Sequence, residues 1–189
     1  MHMKEYLKQA KEIAYSECEK TGMPIKGQID LALKKAIELA EKLNADVYIS
    51  AIGSLMMDCM IGKAQQEGKL EDHIQMSYER AREWLNTTDM KEEYKENILH
   101  CVLEHHGVDS FFSKESEICC NSDCYRFASI EGFLYGVRYL RKMPFKELVN
   151  LLNKKVEEKW NTLTLDISRQ ELEPQYEVIK EMLKYLDGV

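Results

Sequence analysis

The chain has 189 residues, 44% hydrophobic and 31% charged, with 33 acidic side chains against 26 basic ones and a formal net charge of −7. That length fits one domain with a single sizeable core, and the interspersed, acid-rich charge argues against a surface built for a nucleic-acid backbone. Six cysteines without a paired framework spacing, a start ("MHMKEYLKQAKEIAYSE") lacking an apolar signal core, and no apolar run near the roughly 18 residues of a membrane span together point to the reducing cytoplasm, with no membrane partner.

The pattern is helical almost throughout. Prolines number only three and glycines nine, repeats and low-complexity tracts are absent, and apolar residues recur at spacings of three and four. "IDLALKKAIELAEKL" sets Ile29, Ala32, Leu33, Ala36, Ala40 and Leu43 on one stripe, predicting an amphipathic helix punctuated by Asn44 and Asp46. The following stretch, "AIGSLMMDCMIGK" at 51–63, reads as a buried helix carrying one acid, Asp58. A carboxylate taken out of water needs a cation or several donors, and nothing basic precedes Asp58 in this run.

A polar link, "AQQEGKLED", leads into "HIQMSYERAREWL", where His73, Ser77, Ala81 and Trp84 share a face. "TTDMKEEYKENILHCVLEHHG" begins with Asp89 and Glu92 at capping-box spacing, stops at Gly107, and turns Tyr94, Ile98, Cys101 or Val102, and His105 inward. A long helix is predicted over about 116–140, with Asp123 on the face of Cys119, Phe127, Ile130 and Leu134. Helices at roughly 144–160 and 170–187 close the chain, and "TLTLDI" is a candidate for a short extended piece.

Asp58, His73, His105 and Asp123 thus fall at or near the inward stripes of different helices, which predicts a buried polar site. A divalent metal would account for it, because it offsets carboxylate desolvation and takes neutral imidazole as a ligand. Plainer roles compete at each position. His73 could be a surface residue at a helix start, and His105 and His106 sit near a helix C-terminus, where imidazolium also interacts well with the dipole. Asp123 could pair with Arg126 three residues on, and Lys63 and Arg126 could be solvated surface charges. Cys119, Cys120 and Cys124, like Met56, Met57 and Met60, read as core packing ahead of zinc or copper ligation.

The order of an acid after "LMM", a His opening the next helix, "ILHCVLEHHG" and then "SDCYRF" resembles the HD-domain metal-dependent phosphohydrolase superfamily, over about residues 25–140. The resemblance sets Gln28 where the first His of that family stands and Met57 at the His of its namesake pair. Asp58 keeps the Asp of the pair, His73 and His105 match the two later His, His106 stands where some branches have a second His, and Asp123 matches the final Asp. It implies an all-α, compact HD-like bundle as a single domain over 1–189, with 141–189 as a C-terminal buttress that could also cover the site mouth or supply a homodimer face. It implies further that the first metal site has lost its imidazoles, while Asp58, His73 and His105 remain as ligands for one divalent ion: Mn, Fe, Co, Ni or Zn.

On this reading the chain hydrolyses a phosphomonoester or nucleotide. Asp58 and Asp123 are the catalytic carboxylates, with Asp123 positioning or deprotonating the water, and Lys63, His106 and Arg126 contact the phosphate. The alternative is a catalytically silent HD-like domain that binds a nucleotide or a protein partner.

Overall fold

The computed structural model describes residues 2–186. In chain order the helices are α1 (His2–Thr21), α2 (Lys26–Leu43), α3 (Val47–Met56), α4 (Ile61–Gln66), a 3-10 turn (Leu70–Asp72), α5 (His73–Leu85), α6 (Glu92–Glu104), α7 (Lys114–Ala128), α8 (Ile130–Tyr139), α9 (Phe145–Thr162) and α10 (Asp166–Leu186). No strand occurs among the described residues, and "TLTLDI" forms the link from α9 into the first turns of α10. The fold class is all-α, as the periodicity predicts.

α7 runs through the middle and packs against α2, α3, α6, α8, α9 and α10. Its composition explains how one helix can be enclosed on nearly every side. Cys119, Cys120, Cys124 and Ala128 are small enough to let neighbouring backbones approach, while Ile118 and Tyr125 fill the wider gaps. All six cysteines are free thiols, and five of them are buried, in line with their reading as core residues. α9 and α10 close over α7 and α8 through Val149, Leu152, Val156, Tyr176, Ile179 and Leu183. α7 itself starts from a capping box between Ser113 and Ser116.

Three local expectations are corrected. The stretch 51–63 is not one helix: α3 ends at Met56, and a turn over 57–60 carries Asp58 before α4 begins. That turn is pinned from outside its own helix, since the amide of Met60 donates to Ser77 Oγ of α5 at 3.2 Å. The helix expected over 116–140 is also two. Ser129 is extended (φ −93°, ψ 153°), and its hydroxyl caps α8 by accepting from the amide of Gly132 at 3.0 Å. A side chain at 132 would bring a Cβ within 2.3 Å of the carbonyl oxygen of Tyr125, so the close approach of α8 to α7 requires glycine there. Finally, α6 begins at Glu92 with Lys91 in the cap position and no side-chain cap, and Asp89 accepts instead from the hydroxyl of Tyr6 in α1.

The span Val47–Gln66 is long and apolar enough to cross a membrane by length and composition, contrary to the expectation that no run approaches that size. Most of it is buried against the other helices, as befits the centre of a helical core.

Candidate functional site

Asp58 is 5% exposed and sits in the turn after α3. Its Oδ1 faces two imidazoles: His73 Nε2 at 3.5 Å and His105 Nε2 at 3.3 Å. Both rings are fixed from behind in the same way. Nδ1 of His73 lies 2.7 Å from the carbonyl of Leu70, and Nδ1 of His105 lies 2.7 Å from the carbonyl of Val102. A carbonyl only accepts, so each Nδ1 carries the proton and, in the neutral ring, Nε2 presents a lone pair. Asp58 Oδ1 and both Nε2 atoms are buried without a hydrogen-bond partner.

Three electron-rich atoms facing one another in a buried space repel unless a cation lies between them or the rings take on further protons. The backbone bond at each Nδ1 is the outer-sphere arrangement that orients a ligating imidazole. His106 joins the group: ligand atoms of Asp58, His73, His105 and His106 all lie within 4.8 Å of one another. Its ring centroid is 4.3 Å from that of His105 and 5.1 Å from that of His73. Burial, together with Lys159, pushes the His106 imidazole down to about 3, so it is neutral near pH 7. This donor set of nitrogen and carboxylate oxygen suits a divalent transition metal.

The other oxygen of Asp58 meets a different partner. Arg126, 5% exposed on α7, directs Nη1 to Asp58 Oδ2, and the same nitrogen donates to Asp123 Oδ1 at 2.7 Å. Asp123 Oδ2 lies 2.6 Å from Nζ of Lys159, itself 4% exposed on α9. Burial alone would raise both carboxyls, but the cations win: Arg126 holds Asp58 well below the usual carboxylate range, and Lys159 with Arg126 does the same for Asp123. Burial would lower Lys159, yet Asp123 keeps it raised and charged. The four charges cancel in pairs, which is how such groups persist out of water.

The site therefore joins Asp58, His73, His105, His106, Asp123 and Arg126 of the residues singled out in the sequence. Lys63 stands apart on α4, half-exposed, with its ammonium 3.9 Å from Glu67. Arg126 and Asp123 also pair at the spacing noted in the sequence, but in the core and with Asp58 as a third member. Gln28 is buried and donates from Nε2 to the carbonyl of Arg126 at 3.3 Å, steadying α7 beside the site. Lys159 is the member the sequence reading missed. The sign was there, since Leu152, Val156 and Lys159 follow helical spacing on the face that α9 buries.

A cavity of about 290 Å³ opens onto the cluster, with Asp58, His73, His106, Asp123, Arg126 and Lys159 at its inner end. Its remaining wall is largely apolar, including Phe127, Leu140, Met143 and Leu151.

No protein-family model matches the chain, and no curated protein does. Solved structures do match it. A "predicted HD superfamily hydrolase" from an uncultured Thermotogales bacterium superposes with a TM-score of 0.70 at 15% identity, covering 96% of this chain and 91% of its own. The chain has the HD-domain fold. An HD-superfamily hydrolase from Bacillus thuringiensis gives a TM-score of 0.69 at 15% identity over 97% of this chain and 96% of that one. Bacillus subtilis YpgQ in complex with ADP gives 0.68 at 16% identity over 97% and 95%. The HD-domain fold thus accounts for the whole bundle, with α9 and α10 included in the match.

Proposed function

We propose that this HD-fold chain is a metal-dependent hydrolase of a small phosphorylated compound, a phosphomonoester or nucleotide, working with one divalent transition ion. The observation that carries the reading is the convergence of Asp58 Oδ1, His73 Nε2 and His105 Nε2, each buried, unpartnered and aimed at the same point. His106 is the fourth donor on hand. When bound there, the ion supplies Lewis-acid polarisation of a phosphoryl oxygen and acidifies a water.

The chain's own residues do the rest. Asp58 divides its duties, one oxygen to the ion and one to Arg126. Arg126 and Lys159 line the cavity and set positive charge where phosphoryl oxygens would lie, and electrostatic placement is most of what phosphoryl transfer asks of a protein. Asp123 has both oxygens engaged by cations, so as a base toward water it is weak, and its main work is to hold Arg126 and Lys159 in register. Lys63 belongs to the surface in this scheme. The ADP held by the YpgQ structure favours a nucleotide over other phosphate esters as the ligand to try first.

A second reading, a nucleotide-binding domain without turnover, draws on Arg126 itself: its guanidinium already bridges Asp58 and Asp123 and holds both carboxylates in an ion pair, which weakens them as bases.

Metal analysis of untagged protein purified without chelator tests the proposal. About one ion per chain is expected, lost in Asp58→Ala and in His105→Ala and weakened in His106→Ala, with phosphate release from mononucleotides or nitrophenyl phosphate by the loaded protein. Protein that takes up none of Mn, Fe, Co, Ni or Zn would sink the hydrolase. A loaded protein that binds ADP and releases no phosphate from any of them would establish the second reading.

A further inference from the structure

Beside the site cavity lies a second, more open groove of about 850 Å³. The two share Ile25, Gln65, Tyr139, Leu140 and Met143, so they adjoin across a largely apolar, tyrosine-bearing neck. The outer groove has a sign of its own. Lys26, Arg138, Arg141 and Lys142 line it against a single acid, Glu147, on a chain whose net charge is −7. Arg138, Arg141 and Lys142 are exposed and make no ion pair among the described residues. By contrast, several lysines elsewhere are answered by a nearby glutamate, as Lys35 is by Glu38, Lys95 by Glu92 and Lys155 by Glu158. Lys26 rests over the Tyr15 ring at 4.4 Å.

Tyr135 lies against Gly27, where a Cβ would come within 2.5 Å of the ring, so the α8 wall sits directly on the start of α2. That first turn of α2 has no side-chain cap.

We infer that the groove is a distal anion subsite: the ligand is an elongated molecule with an anionic group at each end and an apolar or aromatic span between them. The near end meets Arg126, Lys159 and the Asp58–His cluster. The span crosses the neck at Tyr139, Leu140 and Met143, and the far end is held by Arg138, Arg141 and Lys142. This rests on the hydrolase reading for the near end only. Exposed cations each add modestly, and their sum is screened by salt.

The test uses alkane-α,ω-bisphosphonates of increasing chain length and alkylphosphonates of the same lengths, titrated calorimetrically into the full chain with and without Mn. Bisphosphonates long enough to span the neck are expected to bind about 10-fold more tightly than their one-ended counterparts at low salt. The triple variant Arg138→Ala/Arg141→Ala/Lys142→Ala is expected to erase that advantage, leaving metal content and alkylphosphonate affinity as they were. Equal affinity of the two series for metal-loaded protein overturns the distal subsite, as does an advantage that survives the triple variant. A chain that takes up no metal yet retains an advantage dependent on those three cations overturns the hydrolase reading and keeps the groove. Binding of neither series by metal-loaded protein overturns the distal subsite and leaves the hydrolase reading to metal uptake and phosphate release.

Discussion

Asp58 and Asp123, 65 positions apart in the chain, are joined by a single nitrogen, Nη1 of Arg126. Two buried carboxylates would otherwise repel across the gap between the 57–60 turn and α7. Arg126→Ala leaves Asp58 without its cation and Asp123 with Lys159 alone, and the loss of one member of a buried ion network costs about 3–5 kcal/mol. Urea denaturation of Arg126→Met, Asp58→Asn and the double variant checks this. The double variant is expected to lose clearly less than the sum of the singles, and simple additivity would show that the pair is not coupled.

The Asp123–Lys159 contact sets an acid limit on stability. Folded Asp123 is held below its unfolded value of about 3.9, so it contributes stability that is present above that pH and lost as pH falls through the lower folded value. The wild type is expected to stay folded through about pH 4 on this account. Lys159→Met removes the largest of the opposing cations, raises the Asp123 carboxyl and moves the acid-unfolding midpoint upward. Circular dichroism against pH reads the shift; an unchanged midpoint would refute it.

The loop after His105 and His106 is clamped by Glu104. One carboxylate oxygen meets His100 Nδ1 at 2.7 Å, the other accepts from the amide of Phe112 at 3.0 Å, and the His100 ring stacks on Phe112 with centroids 4.0 Å apart. Glu104→Ala is expected to loosen residues 107–113 and, because His105 and His106 directly precede that loop, to weaken metal affinity by about 10-fold or more. Amide exchange over that loop and a metal titration should move together. Faster exchange with unchanged affinity would confine the clamp to a structural role.

Two glycines of α8 make a matched pair. A Cβ at 132 meets backbone, 2.3 Å from the oxygen of Tyr125 and 2.6 Å from that of Arg126, whereas one at 136 first meets the Phe127 ring at 3.3 Å. Backbone cannot swing aside, so Gly132→Ala is expected to cost about 1–3 kcal/mol, much more than Gly136→Ala, and to disturb Arg126. Thermal melts of both variants settle the order, and equal melting temperatures would contradict it.

The helical class and most inward positions of α2, α5 and α6 were legible in the spacing of the residues, whereas Ile130 and Leu134, expected on the inward face with Asp123, are exposed on α8, and Lys159 was passed over. His73, Ser77, Ala81 and Trp84 are buried along α5 as their spacing requires, and His105 follows Ile98, Cys101 and Val102 into the core. Periodicity is a local property, and burial on a helix follows from it directly. Tertiary structure decided where those helices stop and what the buried charges face. The 57–60 turn and the break at Ser129 are held by Ser77 and by the close approach at Gly132, contacts that no local spacing announces. Arg126 read equally well as a surface charge until α3, α7 and α9 came together. Lys159 entered the site only because α9 lays one face on α7, since a cation's partners are set by which helices meet.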